Sequence, residues 1–243
     1  SEHFNTVLYS GNGGASSSQE ISTVNFQPDF VWVKPRNSTN GHHVFDSVRT
    51  FGSAKSLSTN STQAEGAHDA SYGYIGSTDA DGFTANGGTS GAQYTNETGK
   101  NYVAWNWKAN GSGSANTDGD IDSTISANTD AKFSVVSYTG VGGEPKTVAH
   151  GLGVSPEMVI IKKRNNSGSW IVWHKDLADN YAFEGLDTTG AAVSGGSPIS
   201  KYVDAVSSTL VTLGDASENN NSGDTFIMYC WASVDGYSKV GSY

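Results

Sequence analysis

"NYVAWNWKANG", Asn101–Gly111, places three aromatics within six residues, and "TFIMYCWASVDG", Thr225–Gly236, repeats its shape. Tyr102 falls on Phe226, Val103 on Ile227, Trp105 on Tyr229 and Trp107 on Trp231. Each stretch follows an Asn-rich polar turn, "NETGK" from Asn96 and "NNSGD" from Asn220. Alternate residues of a strand share a face. Val103, Trp105 and Trp107 therefore lie on one side, and Tyr102, Ala104 and Asn106 on the other. The first set is bulky and apolar in both stretches, so the simplest expectation turns it into the core. There each aromatic would contribute about 2–3 kcal/mol. The competing reading is a ligand platform, since indole faces stack on the apolar faces of polar ligands.

Further matches lie to either side. "FNTVLYSGNGG" (Phe4–Gly14) pairs with "FSVVSYTGVGG" (Phe133–Gly143). "FQPDFVWVKPRNSTNGHHVFD" (Phe26–Asp46) pairs with "VSPEMVIIKKRNNSGSWIVWHKD" (Val154–Asp176). Both of these run proline, acid, four apolar residues, lysine, and then a polar turn into a second apolar strand, which reads as a hairpin. The four-residue apolar runs, Phe30–Val33 and Met158–Ile161, suggest central strands covered on both faces. "SLSTNSTQA" (Ser56–Ala64) matches "GLDTTGAAV" (Gly185–Val193), and "DGFTANG" (Asp81–Gly87) matches "STLVTLGD" (Ser208–Asp215). The order is kept throughout, so the chain reads as a duplicated unit of about 110 residues, the usual size of one sandwich domain. The expected fold is all-β: two tandem, duplicated antiparallel β-sandwich domains of jelly-roll or concanavalin-like type. Residues 1–111 form the first, 112–131 a Gly/Ser/Asn/Asp linker or long loop, and 132–243 the second. Ile121 and Ile125 are candidates for a short strand that this segment adds to the second domain. It also holds Asp118, Asp120 and Asp122 at alternate positions. They are a weak Ca²⁺ candidate, because the glycine and bidentate Glu of an EF-hand-type loop are missing. A solvated acidic turn is expected, with no bound metal.

The formal net charge of −10 repels phosphate backbones and argues against nucleic acid as a partner. No run of 18 apolar residues is present, so no membrane-inserting helix is expected. The lone cysteine, Cys230, sits inside the second aromatic strand and reads as a small buried hydrophobe. The beginning, "SEHFNTV", carries neither Met nor a basic-then-apolar leader, as expected of a fragment. The six histidines show no HExxH or comparable zinc spacing, and neither a GxSxG elbow nor a phosphate loop occurs. Glycoside hydrolysis needs two carboxylates facing each other across a cleft, and the acids here are scattered. No catalytic residue and no cofactor is expected.

Binding candidates are aromatics unmatched between the halves or close to turns. They are Trp170 and Trp173 with His174, and Tyr72 and Tyr74 in "ASYGYIGSTDADG" (Ala70–Gly82), read as a loop. His42 joins them from "HHVFD", although the matching half places Trp170 and Ile171 near His42 and His43.

With these blocks in view, the chain resembles a family of repeat-bearing bacteriophage virion proteins, frequent in marine and cyanobacterial phages. The blocks that carry the resemblance are "PDFVWVKPRN", "HHVFDSVRTFGSAKSLS", "YVAWNWKANG", "FSVVSYTGVGG", "VAHGLGVSPEMVIIKKRNNSGSW" and "VDGYSKVGSY". Together they cover nearly the whole chain. The resemblance implies a non-enzymatic module on the virion surface, of tail-fibre or receptor-binding type, that recognises a host cell-surface polysaccharide or receptor. Other virion proteins and a homo-oligomer, a trimer if it is a fibre, are the implied partners. The terminal "GYSKVGSY" often runs on into further repeats in such proteins, which implies a piece of a longer fibre. A capsid or tail decoration protein that binds only virion components is the alternative. A glycan depolymerase is a third reading.

Overall fold

The structure, a computed structural model, describes residues 2–143, 145–177, 181–194 and 202–242. The chain divides into two compact units between Ser112 and Gly113. Every strand pairing within its sheets is antiparallel.

The first unit contains β1 (Phe4–Ser10), β2 (Ser18–Ile21), β3 (Phe30–Pro35), β4 (His43–Asp46), β5 (Leu57–Ser58), the single-turn helix α1 (Asp69–Tyr72), β6 (Tyr74–Asp79), β7 (Gly82–Asn86) and β8 (Asn101–Trp107). They form a five-stranded sheet, β1-β8-β3-β4-β5, and a three-stranded sheet, β2-β7-β6. One apolar cluster joins the two layers. Val7, Val31, Val33, Phe45, Tyr102 and Ala104 come from the larger sheet, and Ile21, Ile75, Phe83 and Ala85 from the smaller. This is a sandwich-like arrangement, with hydrophobic burial between the layers as its main stabilising term.

The second unit contains β9 (Ser114–Asn116), β10 (Ser123–Asn128), β11 (Phe133–Thr139), β12 (Lys146–Ala149), β13 (Met158–Lys163), β14 (Trp170–His174), β15 (Tyr181–Glu184), β16 (Val193–Ser194), β17 (Val203–Val206), β18 (Leu210–Leu213), the single turn α2 (Ser217–Asn220) and β19 (Thr225–Trp231). Its sheets run β16-β15-β14-β13-β19-β11-β10-β9 and β12-β18-β17. Val136, Tyr138, Val159, Ile161, Ile171, Phe226 and Met228 from the first sheet share a cluster with Val148, Val203, Val211 and Leu213 from the second. The segment expected as a linker belongs to this unit. β9 and β10 lie within residues 112–131, β10 pairs along β11, and Ile121 is buried in the core cluster. Serine and asparagine fill these strands because their ladder bonds come from the backbone, which any side chain permits.

The two units hold their central strands in matching register. β8 lies between β1 and β3, with Phe4 and Phe30 both opposite Trp107. β19 lies between β11 and β13, with Phe133 and Met158 both opposite Trp231. Trp105 pairs with Trp32, and Tyr229 takes the same place against Ile160. The detail extends to polar contacts. The Tyr9 hydroxyl donates to Thr95 O (2.8 Å) while its ring stacks on Tyr102, and the Tyr138 hydroxyl donates to Asn219 O (2.7 Å) while its ring stacks on Phe226. Gly11 and Gly140 sit where a Cβ would lie 2.3 Å from Glu97 O and 2.4 Å from Asn221 O. Glycine is required there by close backbone approach.

The expectation for the aromatic strand is reversed. Tyr102, Ala104 and Asn106 are fully buried on the face of β8 that meets the core, and Val103, Trp105 and Trp107 point the other way and are half-buried. In β19 the core takes Phe226, Met228 and Cys230. Of the polar groups this brings inside, the Tyr102 hydroxyl and the Asn106 Nδ2 are bonded, and the Asn106 Oδ1 has no partner among the described residues. The Tyr102 hydroxyl accepts from Glu97 N (2.9 Å) and lies within bonding distance of Ala92 O and Gln93 O. The Asn106 amide donates to Asn5 O and Ala104 O at 3.1 Å. Burying a polar group costs little once its bonds are made.

Candidate functional site

Residues 47–73 of the first unit carry little regular structure and are fixed by buried charge. The Arg49 Nε donates to Asp46 Oδ2 at 2.6 Å, with both side chains fully buried. The rest of that guanidinium serves Lys55 O and Val44 O. Asp69, also fully buried, accepts from Lys55 N (2.9 Å) and Ser56 N (3.0 Å). This bracket seats α1, which delivers the chain to Tyr72 and Tyr74. The stretch expected as a loop, Ala70–Gly82, is therefore part of α1 followed by β6 and its turn into β7.

Tyr74 begins β6 and pairs across the ladder with Asn86, the last residue of β7. Beside them opens a cleft of about 280 Å³, bounded also by Ser16, Ser17, Ser53, Ala70, Gly87, Gly88 and Thr89. Backbone forms part of its wall because Gly87 and Gly88 let three segments converge. A Cβ on Gly87 would lie 2.0 Å from Gly14 O, and one on Gly88 2.2 Å from the Ser71 carbonyl carbon. The Asn86 carboxamide lies over Gly76, where a Cβ would come within 2.1 Å of its Oδ1. Ser17 is engaged, donating to Gly14 O and accepting from Asn96. Among the described residues, the Tyr74 hydroxyl, the Asn86 amide and the hydroxyls of Ser16, Ser53 and Thr89 make no hydrogen bond. The lining contains no Asp, Glu, Lys, Arg or His. It is a neutral recess with one aromatic ring and several spare donors and acceptors, the pattern that orients a polar uncharged ligand.

Next along the chain is an aromatic file. Tyr72 meets Tyr94 edge-on (5.7 Å), Tyr94 stacks on His43 (3.9 Å), and His68 lies 6.3 Å from Tyr72. His43 is 3% exposed, and neither ring nitrogen has a partner. Burial, then His42 and Lys34, push its pKa down to about 3. Burial, then Tyr72 and Asp69, raises that of Tyr94.

The other sequence candidates lie elsewhere. Trp170 is 1% exposed, so its indole faces cannot receive a ligand. Trp173 packs against the second unit's core, and being three residues away along a strand it lies on the opposite face from Trp170. The two form no common platform. The His174 Nδ1 accepts from Asp176 N (3.2 Å), which makes it a turn-closing group. His42 is half-buried with its ring edge toward Trp32 (6.3 Å), and burial followed by Lys34 lowers its pKa. Asp118 closes a local turn with Asn116, and Asp120 accepts from the backbone N and Oγ1 of Thr147. Among the described residues no three His, Cys, Asp or Glu side chains gather closely enough to hold a metal.

Two larger recesses escaped the sequence reading. One of about 420 Å³ lies by Asp29, and one of about 530 Å³ by Glu157. The signal was the Pro-acid pair present in both halves, Pro28-Asp29 and Pro156-Glu157. Asp29 N donates to Trp107 O, and Glu157 N donates to Trp231 O, so the two acids stand at the same point of the two frames. Both Asp29 oxygens are taken by backbone, Oδ2 by Ala109 N (2.7 Å) and Oδ1 by Gly111 N (3.1 Å). Burial raises its pKa against the pull of those bonds.

Neither a curated protein nor a solved structure matches the chain. A family described as a domain of unknown function, DUF7483, matches residues 1–243, both units together. The chain belongs to the DUF7483 family.

Proposed function

We propose that the chain is a non-enzymatic virion-surface module of tail-fibre or receptor-binding type that recognises a neutral host-surface glycan, and that its two units are copies of one sandwich. The observation that carries the ligand reading is the cleft at Tyr74. A ring, an amide and spare hydroxyls converge there without an ionised group, which matches the apolar faces and hydroxyl edges of a sugar. The lack of any carboxylate in that lining favours binding over hydrolysis, which requires two. The placement on a virion rests on the resemblance of the quoted blocks.

The test uses bulky substitutions at exposed rim positions, which spare the core. Thr89 and Ser53 are exposed. Wild type should bind a host-surface polysaccharide saturably, and Thr89→Trp and Ser53→Trp should each weaken binding at least about tenfold with unchanged melting temperature. Binding that survives both substitutions would remove the cleft as the site. Stable attachment to purified virions without any polysaccharide binding would identify a decoration protein instead.

A further inference from the structure

The Pro-acid position is shared by the two units, but its carboxylate is used differently. In the first unit, Asp29 is closed off by two backbone N–H groups. In the second, the acid is one methylene longer and the following loop is built another way. Glu157 Oε2 accepts from Ser233 Oγ (2.6 Å), and Ser233 Oγ in turn accepts from Val240 N (2.9 Å). The loop is folded on itself, with Val234 and Ser238 exchanging both backbone bonds at 2.9 Å. Among the described residues, Glu157 Oε1 has no hydrogen-bond partner. Glu157 lines the recess of about 530 Å³ together with Lys175, Asp235, Tyr237 and Lys239. The Lys175 ammonium is already engaged by Asp176 at 2.9 Å. Asp235 stands where the first unit has Gly111, so the second unit carries a second side-chain carboxylate at that point.

We infer that this recess is a second binding site, separate from the cleft at Tyr74, and that it takes a ligand carrying one primary ammonium on a hydroxylated body, as in an amino sugar. Glu157 Oε1 receives the ammonium in a charge-assisted hydrogen bond. Tyr237, 39% exposed, lines the same recess and adds apolar surface for the body of the ligand. With Asp176, which holds Lys175, the acids at the recess are three against two lysines, so a single ammonium suits it better than a polycation.

The purified chain is titrated with D-glucosamine hydrochloride and followed by amide chemical shifts, with glucose and N-acetylglucosamine as neutral comparators at matched chloride. The expected result is saturable binding of glucosamine with shifts at residues 233–240. Neutral comparators, and Glu157→Gln, which keeps an acceptor for Ser233, should bind at least about tenfold more weakly. Thr89→Trp should leave glucosamine binding unchanged, so failure at the Tyr74 cleft and failure here are read separately. No saturable binding, equal binding of glucose, or undiminished binding by Glu157→Gln would each overturn the assignment.

Discussion

His43 lies against Tyr94 with ring centroids 3.9 Å apart and planes 25° apart, and both imidazole nitrogens lack a partner. This packing holds the ring neutral, with a folded-state pKa of about 3 against an ordinary value of 6.5. Between those values the unfolded chain binds the proton and the folded one does not, so stability rises with pH across that window. The contribution is fully present above about 6.5 and is lost as pH falls toward 3. At pH 4.5 the loss is about 2–3 kcal/mol. Urea unfolding at pH 7.5 and 4.5 should show this difference in wild type and a smaller one in His43→Phe. Parallel curves for the two proteins would refute it.

Asp46 and Arg49 form an ion pair with no exposed side-chain surface. Without Asp46, Arg49 is left with the longer pair to Glu65 at 3.7 Å, so its buried charge loses most of its compensation, at a cost of up to about 3–5 kcal/mol. Asp46→Asn should therefore lower the urea midpoint strongly. Asp46→Asn combined with Arg49→Met should recover part of the loss.

The glycines that follow β1 and β11 should behave alike. Gly11→Ala and Gly140→Ala each place a methyl against a carbonyl oxygen and should each cost about 1–3 kcal/mol. Gly14→Ala, with nothing within 4 Å, should change stability by less than about 0.5 kcal/mol. Thermal melts of the three variants decide it.

Cys230 is fully buried in β19, and burial pushes its thiol up to about 12. A thiol reagent should leave the folded chain unmodified at pH 8 and titrate one thiol in denaturant. Rapid labelling under native conditions would show that β19 opens readily.

The β3–β4 and β13–β14 hairpins and the match between the two aromatic strands could be read from the chain because alternation and matching blocks are local properties. Tyr102 against Phe226 and Trp105 against Tyr229 are legible side by side. Which face of β8 points inward is a different kind of fact. It depends on where β2, β6 and β7 lie, and on remote backbone groups such as Glu97 N and Asn5 O that bond the Tyr102 hydroxyl and the Asn106 Nδ2. Bulk alone favoured the tryptophans. β9 was read as linker because Ser, Ala and Asn carry no apolar alternation, whereas Ile125 marked the added strand that β10 forms. Tyr74 was found as an aromatic in a Gly-rich stretch. Its companions Ser16, Gly87 and Thr89 come from segments far apart in sequence, and only folding brings them together.

The matched registers of β1, β3 and β8 and of β11, β13 and β19 have a practical consequence. Residues as different as Trp32 and Ile160, or Trp105 and Tyr229, settle into the same hydrogen-bonded frame. The connecting segments of one half can then change in length and composition without disturbing the frame of the other. A protein built this way can be altered at one end of its chain while the other end keeps its fold.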